Sequence, residues 1–115
     1  MSTPFEEIAG LDRMVHDPTR LAILTALSAC KRAEFLFLQR LIGLTKGNLS
    51  AHLSKLEEAG LVVIEKVFVD KKPKTFARLS DRGRREVAAY WEQIERLREE
   101  SARWRPLLPE PSPAG

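Results

Sequence analysis

The chain has 115 residues, which is enough for one domain with a modest hydrophobic core. Hydrophobic residues make up 43% of it and charged residues 30%, a composition typical of a soluble globular protein. The sequence has no apolar stretch of about 18 residues, and its start lacks a basic segment followed by an apolar one. These features argue against a membrane span and a secretion signal, so we expect a cytoplasmic protein.

The net charge of +3 is concentrated in one part of the chain. Between residues 66 and 78, five basic side chains stand against the single acid Asp70, which gives a local charge of +4 and leaves −1 for the rest. The five are Lys66, Lys71, Lys72, Lys74 and Arg78. A concentrated positive charge is typical of a surface that binds a polyanion.

The N-terminal segment, residues 4–15, is predicted to form a short amphipathic helix. Its apolar side chains recur at three- and four-residue steps, the spacing that aligns side chains on one face of a helix. They are Phe5, Ile8, Leu11 and Val15. Asp17 is expected to cap a second helix over residues 18–28, with Pro18 in the first position, where proline's fixed φ and missing N–H do no harm.

Two more helices are predicted to follow, with a short turn between them. Residues 34–42 are rich in apolar side chains and predict one or two extended residues before about two helical turns. Thr45 is a good N-cap for the next helix, and Gly60 provides a C-terminal stop. Only residues 43–45 join the two helices, and a short turn that contains glycine is typical of a helix-turn-helix.

The helix predicted over residues 45–59 has two different faces. One carries leucines at helical spacing and is expected to pack in the core: Leu49, Leu53 and Leu56. The other carries only small, polar or basic side chains: Gly47, Asn48, Ala51, Ser54 and Lys55. A slim polar face can lie close to another surface and offer it hydrogen bonds, as a helix that contacts DNA must do.

A hairpin and a long helix are predicted for the remainder of the chain. The β-branched segment 61–67 predicts a strand, segment 75–79 its returning partner, and segment 68–74 a basic loop between them. Ser80 is expected to cap a helix that runs to about Arg103. The last ten residues, 106–115, contain four prolines and are expected to form a disordered tail.

The final helix carries an apolar seam with charged flanks, as in a coiled coil. Such a helix spans ~30 Å, more than a domain of this size covers, so its outer half is expected to pack on a second copy of the chain with help from the N-terminal helix. The alternative is that the seam packs on the core of its own domain. The predicted dimer-interface residues are Phe5, Ile8, Leu11, Val87, Tyr90, Trp91, Ile94, Leu97 and Trp104.

Together the elements predict a mainly α (α+β) fold. The predicted architecture is a winged helix-turn-helix over residues 1–105, with a two-stranded hairpin wing and flanking dimerisation helices at 4–15 and 81–104. Residues 50–62, SAHLSKLEEAGLV, also resemble the signature of winged-helix transcriptional regulators of the MarR/ArsR type. Residues 17–24, DPTRLAIL, are similar to the opening core helix of the same group, and the resemblance extends from about Leu11 to Tyr90.

The resemblance implies a recognition helix at 45–59 in the major groove and a basic wing at 68–75 on the DNA backbone or in the minor groove. Asn48 suits an adenine edge or a phosphate, and hydroxyls at the helix start suit phosphate oxygens. No arginine lies on the polar face, so discrimination is expected to depend partly on DNA shape and on the wing. The predicted DNA-binding residues are Thr45, Lys46, Asn48, Ser50, Ala51, His52, Lys55, Lys66, Lys71, Lys72, Lys74 and Arg78.

The histidines and the single cysteine indicate no metal site. His52 falls beside the leucine face, so a partly buried structural role and a phosphate contact both stay open. Neither His16 nor Cys30 stands at metal-ligand spacing, and one cysteine cannot form an internal disulfide. Some members of the resembled group sense metals or redox state through cysteine pairs, and this chain departs from that pattern. We expect no metal and no cofactor.

The leading hypothesis is a homodimeric transcription regulator that binds pseudo-palindromic double-stranded DNA. The alternative is a winged-helix module for protein–protein interaction without DNA binding, which apolar side chains on the strands favour: Val63, Val67 and Phe76. An enzyme is the weakest hypothesis, because the chain has no glycine-rich phosphate loop and no nucleophile beside a base. A small-molecule effector stays open: no residue pattern indicates one, and the place for it would be a dimer-interface pocket near Tyr90, Trp91 and Trp104.

Overall fold

Five helices and three strands make up the part of the chain that the computed structural model describes, residues 3–106. The helices and strands are α1 (Pro4–Ala9), α2 (Pro18–Ser28), β1 (Ala33–Glu34), α3 (Phe35–Ile42), α4 (Lys46–Glu58), β2 (Val62–Val69), β3 (Lys72–Leu79) and α5 (Asp81–Arg103). The strands form one antiparallel sheet in the order β1-β3-β2. This arrangement confirms the predicted winged helix-turn-helix. Within the described residues, no helix has both the length and the apolar character needed to cross a bilayer.

Helix α2 lies at the centre of the core. The Arg20 backbone N–H donates to the Asp17 carboxylate at 2.9 Å, and Pro18 takes the first helical position as predicted. Its buried side chains are Ile23, Leu24 and Leu27. They belong to one cluster with buried side chains of α3, α4, both long strands and the first half of α5. The core therefore fixes the position of every element that borders the predicted DNA-binding surface.

The helix-turn-helix forms where the sequence predicts it. Helix α3 ends at Gly43, whose φ of 76° lies in the left-handed region that glycine adopts without strain. The Thr45 hydroxyl then accepts a hydrogen bond from the Asn48 N–H at 3.1 Å and caps α4. The predicted leucine face of α4 is buried, which leaves its polar face to the outside.

The hairpin of β2 and β3, here called the wing, is longer and tighter than predicted. Each strand has eight residues, and only Asp70 and Lys71 join them, with φ values of 51° and 65°. Two successive positive φ values are the mark of a type I′ turn, whose twist matches that of the strands. The predicted basic loop over residues 68–74 is therefore wrong, because residues 68–69 and 72–74 belong to the strands. The sequence did not predict this two-residue turn, because Pro73 argues against a strand and the turn contains no glycine.

The N-terminal helix is shorter than predicted. Helix α1 ends at Ala9, and segment 10–17 contains no helix, so the predicted helix over 4–15 is wrong in its second half. Leu11 and Val15 are nevertheless buried, which explains their apolar character without a helix. All but the first residue of the predicted tail, 106–115, lies outside the described residues.

The apolar seam of α5 is divided between the core of its own chain and the surface. Four predicted interface residues are buried in the single chain, and this corrects their assignment to a dimer surface: Leu11, Val87, Tyr90 and Leu97. Ile94 also packs partly against the core. Four others keep large exposed surfaces and remain available for a partner: Phe5, Ile8, Trp91 and Trp104.

Gly83 sets how closely α5 approaches the connection between α4 and β2. A Cβ atom at this position would lie 2.0 Å from the carbonyl oxygen of Leu61 and 3.0 Å from its carbonyl carbon. The same oxygen accepts the Ser80 N–H at 3.0 Å, so it cannot move away without loss of that bond. Glycine generally weakens a helix, but here the packing requires it.

We expect Gly83→Ala to lower the free energy of unfolding by about 3 kcal/mol, because backbone must move to admit the methyl group. Gly47→Ala is the matched control, since its Cβ would meet no atom within 4 Å. Alanine there should raise the free energy by up to about 1 kcal/mol through better helix propensity. Urea unfolding of the three proteins measures both effects. Equal stability of the two variants would contradict the close contact at Gly83.

Candidate nucleic-acid interface

The polar face of α4 is open to solvent. Six of its predicted DNA-binding residues are exposed: Thr45, Lys46, Asn48, Ser50, Ala51 and Lys55. The N-terminal turn of α4 lies at one end of this face, and the backbone N–H groups of a helix N-terminus attract phosphate oxygens. This geometry meets the requirement for a helix that enters a DNA groove, because no bulky side chain stands between the backbone of α4 and a ligand.

A groove of about 370 Å³ runs between α4 and the wing. The α4 side is lined by Lys46, Ser50, Ser54 and Glu57, the wing side by Ile64, Lys66 and Thr75, and Phe35 and Leu53 complete the lining. Lysines thus stand on both sides of the groove. The one acid among the lining residues belongs to the C-terminal end of α4, whereas Lys46 belongs to its N-terminal turn. The N-terminal end of the groove is therefore the more suitable for a phosphate group.

Strand alternation divides the side chains of the wing between two faces. The register pairs Ile64 with Ala77, Lys66 with Thr75 and Phe68 with Pro73. Because Ile64 and Lys66 line the groove, this set defines the face that is turned toward α4. The opposite face, here called the outer face, carries alternate residues of both strands: Val63, Glu65, Val67, Val69, Lys72, Lys74, Phe76 and Arg78.

Arg78 takes part in an ionic cluster on the outer face of the wing. Its Nε donates to Glu65 Oε1 at 2.7 Å, and Arg32 Nη1 lies 3.9 Å from Glu65 Oε2. The Arg32 guanidinium also lies over the Phe76 ring, with Cζ 4.1 Å from the centroid. Arg78 therefore ties strands together on the face opposite the groove, and its geometry does not support the predicted DNA contact.

His52 is linked to the start of α2. Arg20 Nη1 lies 3.3 Å from His52 Nδ1. Because arginine only donates, Nδ1 is the acceptor, and the neutral imidazole carries its proton on Nε2. The Arg20 side chain also donates to the carbonyls of Met14 at 2.9 Å and Arg13 at 3.0 Å. His52 is half-buried, as one of the two alternatives predicted, and its Nε2–H remains a donor at the edge of the polar face.

Asp17 holds Arg20 from the other side. Its carboxylate lies 3.7 Å from the guanidinium and accepts the Arg20 backbone N–H. That backbone hydrogen bond, together with the nearby guanidinium charge, keeps the pKa of the Asp17 carboxyl below its ordinary value of 3.8. The ionised Asp17 carboxylate therefore stabilises the folded state at pH values above 3.8. This stabilisation is lost as the pH falls through the lowered pKa of the folded protein. Sequence reasoning missed Arg20, because no local pattern pairs it with a histidine 32 residues away.

The remaining candidate residues form no comparable site. His16 Nδ1 lies 2.7 Å from the Tyr90 hydroxyl and so ties segment 10–17 to α5. Cys30 is half-exposed, and its carbonyl accepts a hydrogen bond from Arg84. Between residues 3 and 106, no three His, Cys, Asp or Glu side chains come together as metal ligands would.

Comparison with known proteins agrees with this geometry. The family profile described as "Winged helix DNA-binding domain" matches residues 19–97, more than half of the chain. An uncharacterised protein of Methanocaldococcus jannaschii is 35% identical over 72 residues, which cover 63% of this chain and 78% of that protein.

Several solved structures share the fold, among them these three. A transcriptional regulator homologue from Pyrococcus horikoshii OT3 superimposes with a TM-score of 0.77 at 30% identity, over 84% of this chain and 94% of that one. The transcriptional repressor BigR from Xylella fastidiosa gives 0.58 at 26% identity, over 76% and 82%. The transcriptional repressor CouR, solved with a 23-mer DNA duplex, gives 0.65 at 20% identity, over 84% and 72%, which shows a common fold. The chain therefore belongs to the winged helix DNA-binding domain family and is a winged-helix regulator of the MarR-like superfamily.

Proposed function

We propose that this DNA-binding regulator binds pseudo-palindromic double-stranded DNA as a homodimer, with α4 in the major groove and the wing on the backbone or in the minor groove. The groove between α4 and the wing is the observation that carries the proposal, because lysines stand on both of its sides beside an exposed polar helix face. Positive charge of this kind supplies most of the affinity of a protein for the phosphate backbone.

Helix α4 suits close contact with base edges. Gly47, Ser50 and Ala51 keep its exposed face slim, and Asn48 carries the amide that pairs with adenine in the major groove. Lys46 and Lys55 are suited to phosphates as point charges. The His52 imidazole adds an N–H donor whose direction is set by its bond to Arg20.

The wing carries four lysines and one arginine, and among the described residues only the arginine is paired with an acid of the wing. Glu65 partly neutralises Arg78 on the outer face, so the positive charge available to DNA lies on the lysines. They are Lys66 beside the groove, Lys71 in the turn, and Lys72 and Lys74 on β3. The proposal therefore assigns the phosphate contacts of the wing to these lysines and leaves Arg78 out.

The alternative of a protein-interaction module has less support. Val63, Val67 and Phe76, the apolar side chains that favoured it, are half-buried. The Arg32 guanidinium also covers the Phe76 ring. The outer face of the wing therefore offers a partner protein less apolar surface than the sequence indicates.

A homodimer is supported by the outer end of α5. Helix α1 packs there through an ion pair of 2.7 Å between Arg96 and Glu7 and an edge-to-face contact of Phe5 with Trp104, whose ring centroids lie 5.2 Å apart. Phe5, Ile8 and Trp104 nevertheless keep much of their surface exposed. A second copy that packs on them across a two-fold axis would present two α4 helices to two half-sites, which for dimeric helix-turn-helix proteins lie ~34 Å apart, one turn of DNA.

Selection of bound duplexes from a random 30-bp pool tests DNA binding and its symmetry together. We expect two inverted half-sites whose centres lie ~10 bp apart. Asn48→Ala should reduce the ratio of operator to random-DNA affinity by about tenfold, since one bidentate base contact contributes ~1–3 kcal/mol. Thr25→Ala, exposed on α2 and outside the groove lining, is the control. A pool with no enriched sequence would contradict sequence-specific binding.

The salt dependence of binding distinguishes Lys66, which lines the groove, from Arg78, which is paired with Glu65. Lys66→Ala should reduce the slope of log K against log salt by about 2 for a dimer, because each lost phosphate contact removes ~0.9. Arg78→Ala is the matched control and should leave the slope unchanged while it lowers thermal stability. Fluorescence anisotropy over a KCl series measures the slope. Equal changes for the two variants would refute the distinction between the wing lysines, which contact phosphates, and Arg78, which is paired with Glu65.

The dimer surface is tested by sedimentation velocity. Phe5→Glu combined with Ile8→Glu should yield a folded monomer, because two buried charges cannot be accommodated at the interface. Phe37→Glu is the control, since Phe37 is similarly exposed but lies on α3. Circular dichroism verifies that all three proteins are folded. If the double variant sediments as the wild type does, α1 is not part of the interface.

A further inference from the structure

Phe68 is the most exposed large apolar side chain in the described part of the chain, with 79% of its surface accessible. It belongs to β2, two residues before the turn of the wing. Burying a phenylalanine side chain contributes about 1.5–3 kcal/mol, so exposure of this ring forgoes a considerable stabilisation. A bound partner that covers the ring would recover it.

Phe68 lies on the groove-side face of the wing. Starting from the body of the domain, this face carries Val62 opposite Leu79, Ile64 opposite Ala77, Lys66 opposite Thr75, and finally Phe68 opposite Pro73. The first pair lies in the core and the third lines the groove beside α4. Phe68 and Pro73 continue the same row roughly 7 Å further out. They form an apolar pair at the outer end of the lysine-lined groove.

The charges around this pair favour a nucleic acid as the ligand. Lys66 precedes Phe68 on the same face, and three further lysines lie at the tip: Lys71, Lys72 and Lys74. Asp70 is the only acid between residues 66 and 78. A purely apolar partner would leave these four lysines without counter-charges. A DNA minor groove, in contrast, offers apolar sugar surfaces between two rows of phosphates.

We infer that Phe68, backed by Pro73, enters the minor groove beside the half-site bound by α4 and partly unstacks one base step. The inference rests on the proposed function. Apolar wedges such as phenylalanine and proline between base steps are a known means of kinking DNA. Pyrimidine–purine steps unstack most easily, so the wedge selects them through deformability. This supplies sequence preference to a protein whose recognition helix carries no arginine.

The experiment uses the duplex that the random pool yields, with 2-aminopurine introduced in turn at each step of the flanking minor groove. The wild type should raise the fluorescence at one step, because 2-aminopurine brightens when it unstacks. Phe68→Ala should abolish that rise and weaken binding on the order of tenfold, without a change in the salt slope. Val67→Ala, on the outer face of the same strand, is the control and should retain both signals.

Two charge variants separate the wedge from simple electrostatic attraction. Phe68→Lys adds a cation, so it should steepen the salt slope and still lose the fluorescence rise. Lys71→Gly removes a cation and keeps the turn, since glycine adopts the positive φ of this position without strain. It should flatten the slope and keep the rise. If Phe68→Lys retains both the rise and the sequence preference of the wild type, the wedge is refuted.

The failure of this inference can be distinguished from the failure of the proposed function. If the wild type enriches no sequence from the pool, both are overturned. If it enriches an operator, and Phe68→Ala binds that operator with the wild-type affinity and sequence preference, only the wedge is overturned. Wild-type DNA binding by Phe68→Ala together with loss of a protein partner would assign the ring to a protein interface and overturn the wedge as well.

Discussion

Burial of the leucine face of α4 against the core is the contact on which the rest of the structure depends. Leu49, Leu53 and Leu56 are buried in the cluster that surrounds α2. When one face of a helix is buried, the opposite face is exposed, so this packing decides which side chains of α4 face solvent. The wing follows α4 after a short turn, and the groove between them exists because both elements start from the same core. A change in that packing would move the helix and the groove together.

Arginine and lysine have different roles beside the groove. Arg20 connects α2, segment 10–17 and α4, while Arg32 and Arg78 share Glu65 behind the wing. The rigid fork of donors on arginine suits such multiple, directed bonds. Lysine is a flexible point charge, and lysines line the groove and occupy the tip of the wing. The arginines therefore hold elements of the fold together, while the lysines at the groove and the wing tip are available to a ligand.

Local signals predicted most of the helices correctly, and the errors have physical causes. The caps at Asp17 and Thr45 fixed the starts of α2 and α4, because capping depends on neighbouring residues alone. Leu11 lies in an irregular segment but is buried, and its distance from Ile8 in the sequence happens to match helical spacing. Periodicity therefore predicts a helix there, although the apolar side chain has another cause. The turn at residues 70–71 was missed because strand pairing, and not glycine, holds its positive φ values in place.

By itself, the sequence determined the order of the elements, the slim polar face of α4 and the concentration of charge in the wing. Each of these depends on residues close together in the chain. Only the tertiary structure decided which charges face the groove, which aromatic side chains stay exposed, and that His52 meets Arg20. Those outcomes depend on the register of two strands and on contacts between residues far apart in sequence. Local propensity and periodicity carry no information about such pairs.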